Sequence, residues 1–233
     1  MKYFDYSTRL VSMTEPLIDD VNTSEELVAF CARVSNPTNQ TNNETAGKLL
    51  SYCKKNSHWS IFEMASACLE INAPRDITRQ IIRHRSFSFQ EFSQRYADGS
   101  ALPFSGYREP RLQDLKNRQN SIEMENTQLA NAWEERQANL MMAIDGAYKW
   151  ALANNIAKEC ARVILPEGLT PSRVYMSGTI RSWLHFCQVR QGNGTQKEHI
   201  EIANQIAAVL AKELPIIFDM VGEKYEQKNI SNS

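Results

Sequence analysis

The feature that most constrains how this chain can fold is residues 83–96, RHRSFSFQEFSQRY. Three arginines, a histidine and a glutamate lie in this short segment, together with three phenylalanines and a tyrosine. The formal net charge of the chain is −1, so the overall composition gives no reason to concentrate cations here. Clustered guanidinium groups are costly to hold together unless an anion lies among them. The fold must therefore bring these arginines to carboxylates, phosphates or nucleic acid.

Composition limits the class of protein. The chain has 233 residues, 42% of them hydrophobic, which is enough for one large domain with a sizeable core. Because 26 basic residues are balanced by 27 acidic residues, the overall charge does not favour binding to nucleic acid or to an anionic membrane. No apolar stretch reaches the ~18 residues of a membrane span, and the N-terminus lacks the apolar run of a signal peptide. The five cysteines form no CxxC pair, which indicates reduced thiols and a cytoplasmic location.

Periodicity predicts a helix-rich chain with few strands. The predicted helices cover residues 24–34, 45–55, 74–84, 121–154, 156–164, 179–190 and 195–220. The predicted strands or extended segments cover residues 62–71, 86–96 and 172–177, and residues 97–118 are expected to be irregular. No domain boundary is visible, so we expect one domain over residues 1–233 with a frayed C-terminal tail. The predicted fold class is α/β in the mixed, α+β sense, with a central sheet.

Three arginines recur on the predicted helix that precedes the opening segment. Arg75, Arg79 and Arg83 are spaced i, i+4 and i+8, which would place them on one helical face. Such a face is either a solvated basic stripe or part of an anion site. Arg85 and Arg95 lie beyond the predicted helix, where the chain turns, and guanidinium groups that converge near a turn suit the recognition of phosphates.

Other side chains of the segment have a structural and a functional interpretation. His84 lies between two arginines, which favour a neutral ring, and it is either a satisfied structural histidine or a hydrogen-bond partner for a heterocycle. Glu91 either pairs with an arginine or accepts hydrogen bonds from ligand hydroxyls. No sequence pattern places a base beside Ser93, so we interpret it as a hydrogen-bonding group and not as a nucleophile.

The segment resembles the signature of the flavin-dependent thymidylate synthases, in which Arg-His-Arg is followed after seven residues by Ser and shortly afterwards by Arg. Further stretches are similar to other elements of that family and occur in the family's order. They are residues 58–63 (HWSIFE), 161–166 (ARVILP), 181–186 (RSWLHF) with Arg190, and 195–199 (TQKEH). The resemblance spans roughly residues 25–215.

The resemblance implies a methyltransferase that converts dUMP into dTMP. It implies that methylenetetrahydrofolate supplies the methylene group, that NADPH supplies the electrons and that FAD carries the hydride between them. It also implies a homotetramer whose active sites lie where subunits meet. Residues 192–194, Gly-Asn-Gly, lack the strand–turn–helix context of a dinucleotide-binding fingerprint, so FAD is expected to bind outside a Rossmann fold.

The resemblance also assigns site residues, position by position. The dUMP positions are Gln80, Arg83, Glu91, Ser93, Gln94, Arg95, Arg162 and Arg190. The FAD positions are His58, Ser60, Arg83, His84, Arg85, Glu91, Thr179, Arg181 and His185, with His58 near flavin and folate. Met64, Gln90 and Thr179 depart from the common family pattern, which bears on individual contacts and not on the reaction.

The expected chemistry needs no cysteine nucleophile. Cys187 lies three residues before Arg190, but a buried structural thiol is its favoured interpretation. Without a thiolate, a fixed cation near N3 stabilises negative charge in the pyrimidine, and we assign this catalytic role to Arg190. Apart from the resemblance, Arg190 is simply a charge at a helix C-terminus. Trp59 and Trp183 flank motif positions and either stack on a ligand or pack in the core or an interface.

Two other classes of function compete with this hypothesis. A basic helix with interleaved aromatics is typical of a protein that docks single-stranded nucleic acid, but the balanced charge disfavours it. A metal hydrolase would have to use His58, His84, His185 and His199, whose spacings match no HExxH or similar ligand pattern. We therefore expect no nucleic acid partner, no membrane partner and no metal.

Overall fold

The computed structural model describes residues 3–104, 106–192 and 194–218. Its helices are α1 (Ser24–Ala32), α2 (Ala46–Lys55), α3 (Arg75–Ile81), α4 (Thr127–Ala153), α5 (Lys158–Ala161), α6 (Ile180–Arg190) and α7 (Lys197–Glu213). Its strands are β1 (Ser7–Met13), β2 (Ser66–Pro74), β3 (Ser88–Glu91), β4 (Arg111–Gln113), β5 (Ser121–Glu123) and β6 (Pro171–Thr179). The predicted C-terminal tail lies outside the described residues.

Four strands form an antiparallel sheet in the order β1-β2-β6-β3, and β4 and β5 form a separate hairpin. The expectation of a mixed, helix-rich fold with a central sheet is confirmed. The antiparallel pairing differs from the parallel sheet of a Rossmann fold, as the sequence also led us to expect. No helix in the described part of the chain is both long and apolar enough to cross a membrane.

One face of the sheet carries the hydrophobic core. Ala67, Leu69 and Ile71 of β2 are buried at alternate positions, because successive side chains of a strand point to opposite faces. They form one apolar cluster with Val174 and Met176 of β6 and with side chains from α1, α2, α3, α6 and α7. Full burial of one such aliphatic side chain contributes about 1.5–3 kcal/mol. This cluster therefore fixes the helices that carry the candidate site.

The charged residue of β2 is satisfied by cross-strand partners. Glu70 is 4% exposed, and Arg9 of β1 donates to its two carboxylate oxygens at 3.0 and 2.8 Å. The hydroxyl of Tyr175 on β6 donates at 2.8 Å. The hydrogen bonds from Arg9 are the largest cause that lowers the pKa of Glu70 to about 2. Because Arg9 and Tyr175 both stand opposite Glu70 in the strand register, sheet pairing itself assembles this group.

Helix α3 is shorter than the sequence predicts, since it ends at Ile81 and not at His84. Arg83 lies in the turn that follows, so the prediction that three arginines share one helical face is wrong. The turn closes early because the N–H of His84 donates to the carbonyl of Ile81 at 3.1 Å. The N–H of Phe87 then donates to the carbonyl of His84 at 3.3 Å.

Phe87 anchors this turn in the core. Its ring packs edge-on against Trp183 of α6, with 4.7 Å between centroids. A Cβ at Gly178 of β6 would lie 2.5 Å from the Phe87 ring, so only glycine allows this close approach. With Phe87 buried, the turn leaves Arg83 and Arg85 exposed.

N-terminal caps explain where two of the helices begin. Helix α4 begins at Thr127 and not at residue 121, since Asn126 accepts a hydrogen bond from the first turn and Ser121–Glu123 form β5. Helix α1 begins at Ser24, as predicted, after the N-cap Thr23, and Glu26 completes a capping box.

Ion pairs tie the start of the hairpin, and the residues just before it, to α3 and α7. Arg108 pairs with Asp76 of α3 at 2.8 Å and with Glu198 of α7 at 3.3 Å. Arg111 binds Glu198 at 2.5 Å. Burial opposes the ionisation of Glu198, but Arg108 and Arg111 outweigh it, so the pKa of this carboxyl is lowered. These pairs hold the start of α7 beside α3.

Candidate active site

The centre of the candidate site is a hydrogen bond between His84, in the turn after α3, and Arg190, the last residue of α6. Nε of Arg190 donates to Nε2 of His84 at 2.7 Å. A ring nitrogen that accepts carries no proton, so the proton of the neutral imidazole is on Nδ1. Burial is the main cause that lowers the pKa of His84 to about 4, followed by the charges of Arg190 and His185. The predicted neutral ring is confirmed, but the charges responsible come from α6 and not from the flanking arginines.

The guanidinium of Arg190 has its two terminal NH₂ groups free of protein partners within the described residues. Burial lowers the pKa of Arg190, and the positive charge of Arg83 lowers it further. Arg83 is exposed and makes no hydrogen bond or ion pair with the described part of the chain. An anion placed between these two arginines would relieve their repulsion.

Gln80 of α3 lies in a second polar group beside this pair. Its Nε2 donates to Oε1 of Gln196 at 2.7 Å, and its Oε1 lies 3.3 Å from Nδ1 of His199 on α7. His199 is fully buried, with its ring centroid 6.5 Å from that of His84. Burial is the main cause that lowers the pKa of His199 to about 3, and Arg190 adds to it.

Glu91 at the end of β3 is held by protein partners. The hydroxyls of Thr78 and Ser172 lie 3.0 and 2.9 Å from its Oε1. Arg79 pairs with Oε2 at 3.3 Å, and Arg75 lies 3.8 Å from Oε1. The structural interpretation of Glu91, an ion pair with an arginine, is present in this chain. Glu167 lies 3.6 Å from Arg75 and 3.4 Å from Arg79, so two carboxylates balance these two charges and the arginines do not form a solvated basic stripe.

The remaining predicted dUMP residues follow β3 or lie near α5. The backbone N–H of Arg95 donates to the hydroxyl of Ser93 at 3.3 Å, and the side chain of Arg95 pairs with Glu159 of α5 at 3.0 Å. Gln94 is 4% exposed, and its Nε2 has no partner among the described residues. The side chain of Arg162, three residues after Glu159, makes no hydrogen bond or ion pair with the described residues.

A cleft of about 420 Å³ opens at the start of α6. Its lining residues are Trp59, Glu63, Ser86, Arg181, Ser182, His185 and Gln188. Two predicted FAD residues, Arg181 and His185, line it, and Arg181 pairs with Glu63. His58 and Ser60 are exposed on either side of Trp59, and Arg85 precedes Ser86 in the chain. Thr179 caps α6 by accepting from the N–H of Ser182 at 3.3 Å.

Two residues that flank motif positions belong to the core. Cys187 is fully buried, burial raises the pKa of its thiol far above the usual range, and it contacts the carbonyl of Ala203 at 3.9 Å. Trp183 is fully buried and donates to the carbonyl of Ala67 at 3.1 Å. The structural interpretation is confirmed for Cys187 and Trp183, whereas Trp59 is half-buried at the cleft.

The structure thus brings Gln80, Arg83, His84, His185 and Arg190 together from α3, its following turn and α6. Arg95 is joined instead to α5, and within the described residues it makes no hydrogen bond or ion pair with the His84–Arg190 pair. No group of three or more His, Cys, Asp or Glu side chains in the described ranges is arranged to hold a metal ion.

Sequence reasoning placed His199 in the TQKEH element and weighed it as a metal-ligand candidate, but missed its contact with Gln80. A signal was present, because His199 shares the apolar face of α7 with Ile202, Ile206 and Leu210, all fully buried. A polar ring on such a face must find a partner. Gln196, which binds the same glutamine, carried no signal beyond its place in the TQKEH element.

Comparisons with known proteins find relatives over most of the chain. The model of one protein family, described as thymidylate synthase complementing protein, matches residues 16–216. A probable flavin-dependent thymidylate synthase of Paramecium bursaria Chlorella virus 1 is 50% identical over 211 residues, covering 91% of this chain and 96% of the relative. A flavin-dependent thymidylate synthase of Synechocystis sp. is 46% identical over 212 residues, covering 90% and 96%.

A solved structure has a similar fold. It is the UMP/dUMP methylase PolB from Streptomyces cacaoi bound with 5-Br dUMP, with a TM-score of 0.76 and 25% sequence identity. The match covers 93% of this chain and 94% of that chain. The fold therefore occurs in a protein that binds a uracil nucleotide analogue.

Proposed function

The chain belongs to the family of the flavin-dependent thymidylate synthases, and from this premise we propose that its site methylates dUMP reductively to give dTMP. Relatives that cover about nine-tenths of the chain carry that name, which also supports a flavin as cofactor. The observation in this chain that carries the proposal is the His84–Arg190 hydrogen bond. It holds a guanidinium by its Nε and leaves its terminal NH₂ groups to bind a pyrimidine.

Arg190 suits the activation of a uracil ring. Its planar fork presents donors to neighbouring acceptors of one ring edge, which a lysine ammonium does not do. The neutral His84 fixes the plane of the fork by accepting from Nε at 2.7 Å. A cation held in this way stabilises negative charge as it develops in the pyrimidine, with little reorganisation. The nearby charge of Arg83 adds to the attraction for an electron-rich ring or a phosphate.

The phosphate of dUMP needs guanidinium groups and polar donors. Arg83 and Arg162 have no ion pair within the described residues and are available for it. Arg95 is 60% exposed at its side chain, and its pair with Glu159 is the exposed kind that contributes about 0–1 kcal/mol. A phosphate dianion can therefore compete for Arg95. Gln80, Glu91, Ser93 and Gln94 complete the proposed dUMP set.

The residues at the cleft fit FAD. Arg181 and His185 line it, and the exposed Arg85 offers a further guanidinium for a pyrophosphate. The proposed FAD set is His58, Ser60, Arg83, His84, Arg85, Glu91, Thr179, Arg181 and His185. When bound, FAD supplies the hydride chemistry that side chains cannot perform. The protein's part is to orient the reactants and to exclude water.

The family resemblance further supports methylenetetrahydrofolate as carbon donor and NADPH as reductant, with the exposed His58 on the folate side. The fully buried Cys187 supports a reaction without a thiolate. Cys160 is exposed and all five thiols are free, which fits a reducing, cytoplasmic setting.

We also propose a homotetramer with active sites where subunits meet. Helix α4 exposes large apolar side chains to solvent, which in a folded chain is typical of an association surface. They are Leu129, Trp133, Leu140, Met142 and Trp150. Sedimentation equilibrium measures the state, and a monomeric holoenzyme with full activity would contradict this part of the proposal.

The function is tested with the purified protein and with two arginine variants. We expect a yellow protein that releases FAD on denaturation, and reduced flavin that is reoxidised in a dUMP-dependent reaction with methylenetetrahydrofolate. Arg190→Ala should retain FAD while this oxidation slows by ~100-fold or more, the scale of losing one electrostatic donor. Arg190→Lys should restore little of the rate, since lysine lacks the fork.

Arg95→Ala is the contrasting variant. It should weaken dUMP binding, so excess dUMP should restore much of its rate and little of the rate of Arg190→Ala. Rescue of both variants by excess dUMP would make Arg190 a binding residue only. A protein that stays colourless after reconstitution with FAD, and that binds no dUMP, would overturn the proposed function.

A further inference from the structure

A buried imidazole with one hydrogen-bond partner lies behind the proposed dUMP site. His199 of α7 is fully buried, and its Nδ1 lies 3.3 Å from Oε1 of Gln80. The opposite nitrogen, Nε2, is buried and has no hydrogen-bond partner in the described part of the chain. The ring packs against Phe186 of α6, with 5.6 Å between centroids. A polar ring kept at such a position restricts the side chain that it touches.

The hydrogen-bond inventory fixes the roles of the two groups. The amide oxygen of Gln80 can only accept, so Nδ1 of His199 carries the proton and donates. The buried Nε2 is then an unpaired acceptor. If the Gln80 amide were turned over, Nδ1 would have to accept and Nε2 would be a buried N–H without a partner, which is rarer in proteins than an unpaired acceptor. The strongly lowered pKa of His199 agrees with a ring that stays neutral.

Gln80 is therefore held at both ends of its amide. Its oxygen accepts from His199, and one of its two N–H bonds is used by Gln196, at 2.7 Å. The second N–H remains free within the described residues. Gln80 is half-buried and lies beside His199. The charge of Arg190 contributes to the lowered pKa of His199, so His199 lies near Arg190. The free N–H of Gln80 is therefore in the same part of the site as the His84–Arg190 pair.

We propose that His199 is a positioning residue that orients Gln80 so that it offers an N–H, and not its carbonyl, to an oxygen of the bound nucleotide. This inference rests on the proposed function, since it takes Gln80 as a dUMP contact. The carbonyl groups of uracil and the phosphate of dUMP present acceptor oxygens. A Gln80 amide turned over would set its oxygen against those oxygens, and the contact would become repulsive.

The competing account is that His199 only fills the core beneath α3. A filler contributes volume, whereas a positioning residue contributes a donor at the place of Nδ1. The two accounts separate when donor and volume are changed independently. Asparagine is smaller than histidine but carries an amide nitrogen near the place of Nδ1, whereas leucine fills much of the volume and has no donor.

The experiment measures dUMP binding by calorimetry on the FAD-loaded protein and steady-state KM and kcat for dUMP. His199→Leu should weaken dUMP binding by about 5- to 12-fold, the upper range for one uncharged hydrogen bond, with KM rising more than kcat falls. His199→Asn should retain affinity within about 3-fold of wild type, although it loses more buried volume. Ile206→Ala, on the same face of α7, should lower thermal stability and leave dUMP affinity unchanged.

A double-mutant cycle tests whether the effect passes through Gln80. Gln80→Ala should itself weaken dUMP binding, and adding His199→Leu to it should cost less than 2-fold more. If His199→Leu does not fold, the dUMP affinities of His199→Asn, Ile206→Ala and wild type are compared instead, and a loss of affinity in His199→Asn would count against the inference. Equal losses in His199→Asn and His199→Leu, or additive losses in the double variant, would overturn the inference. Failure of wild type to bind dUMP at all would instead refute the proposed function.

Discussion

Acidification from pH 7.5 to pH 5.0 should destabilise the folded chain chiefly through His84 and His199. Folding lowers the pKa of His84 to about 4 and that of His199 to about 3, against 6.5 for an unperturbed histidine. As the pH falls through 6.5, both rings take up protons in the unfolded chain but stay neutral in the folded one. The unfolded state then binds more protons, so the free energy of unfolding decreases. The stability that both rings provide is complete above about pH 7 and is lost as the pH falls toward 4 and 3.

The size of the effect follows from linkage. At pH 5.0 the protonation equilibria of the two states differ by roughly 30-fold for either ring, which corresponds to about 2 kcal/mol each. The most strongly shifted acid, Glu70, contributes little in this window, because its pKa falls from 4.5 to about 2 and its stabilisation is lost only below pH 4.5. The interval from pH 5.0 to pH 7.5 therefore reports mainly on histidine.

Urea unfolding of wild type and His199→Asn at pH 7.5 and pH 5.0 measures the loss of the free energy of unfolding. The protein concentration is kept the same throughout, because association of subunits also contributes to stability. The variant should be less stable than wild type at pH 7.5, but it should lose about 2 kcal/mol less on acidification. His58→Asn is the matched control, since its ring is exposed, and it should follow wild type. The reasoning is refuted if His199→Asn and wild type lose the same free energy between the two pH values.

Three further predictions concern packing, the buried carboxylate and the thiols. Gly178→Ala should lower the free energy of unfolding, measured by thermal denaturation, by about 1–3 kcal/mol, because its Cβ would lie 2.5 Å from Phe87. Gly146→Ala, on α4 with nothing within 4 Å of the added Cβ, should raise the free energy of unfolding by up to about 1 kcal/mol. Equal effects of the two substitutions would contradict this packing. Glu70→Gln should lower the free energy of unfolding by about 1–3 kcal/mol at pH 7, and the variant should lose less stability than wild type below pH 4.5. Urea unfolding at several pH values measures this, and the same acid dependence in variant and wild type would refute the role of Arg9. Replacement of the five cysteines by alanine should leave dUMP-dependent oxidation of reduced flavin within about 3-fold in folded variants, since burial holds Cys187 as a thiol; abolished turnover with FAD and dUMP still bound would show a catalytic thiol.

Local pattern predicted most of the elements. The alternation of Ala67, Leu69 and Ile71 indicated the buried face of β2, and the 3.6-residue period indicated α1, α2, α6 and α7. These predictions are confirmed because the signal lies within a few consecutive residues of the chain. Boundaries were less predictable, because α3 ends where Phe87 enters the core and α4 starts where Asn126 caps it.

The sequence alone also identified the family, since its motifs are short, ordered and rich in residues that bind phosphate and heterocycles. The site residues carried over by that resemblance, and the single domain over residues 1–233, stay predictions. The sequence could name His84 and Arg190 as candidates, but it could not show that they bind each other.

Tertiary structure decided which side chains meet. His84 and Arg190 are 106 positions apart, and His199 and Gln80 are 119 apart, so no local period links them. Their contacts exist because one apolar cluster packs α3, α6 and α7 onto the same sheet. The same packing buries the two imidazoles and lowers their pKa values. Periodicity is a property of neighbouring residues, whereas protonation and orientation depend on burial and on distant charges, which only the assembled core determines.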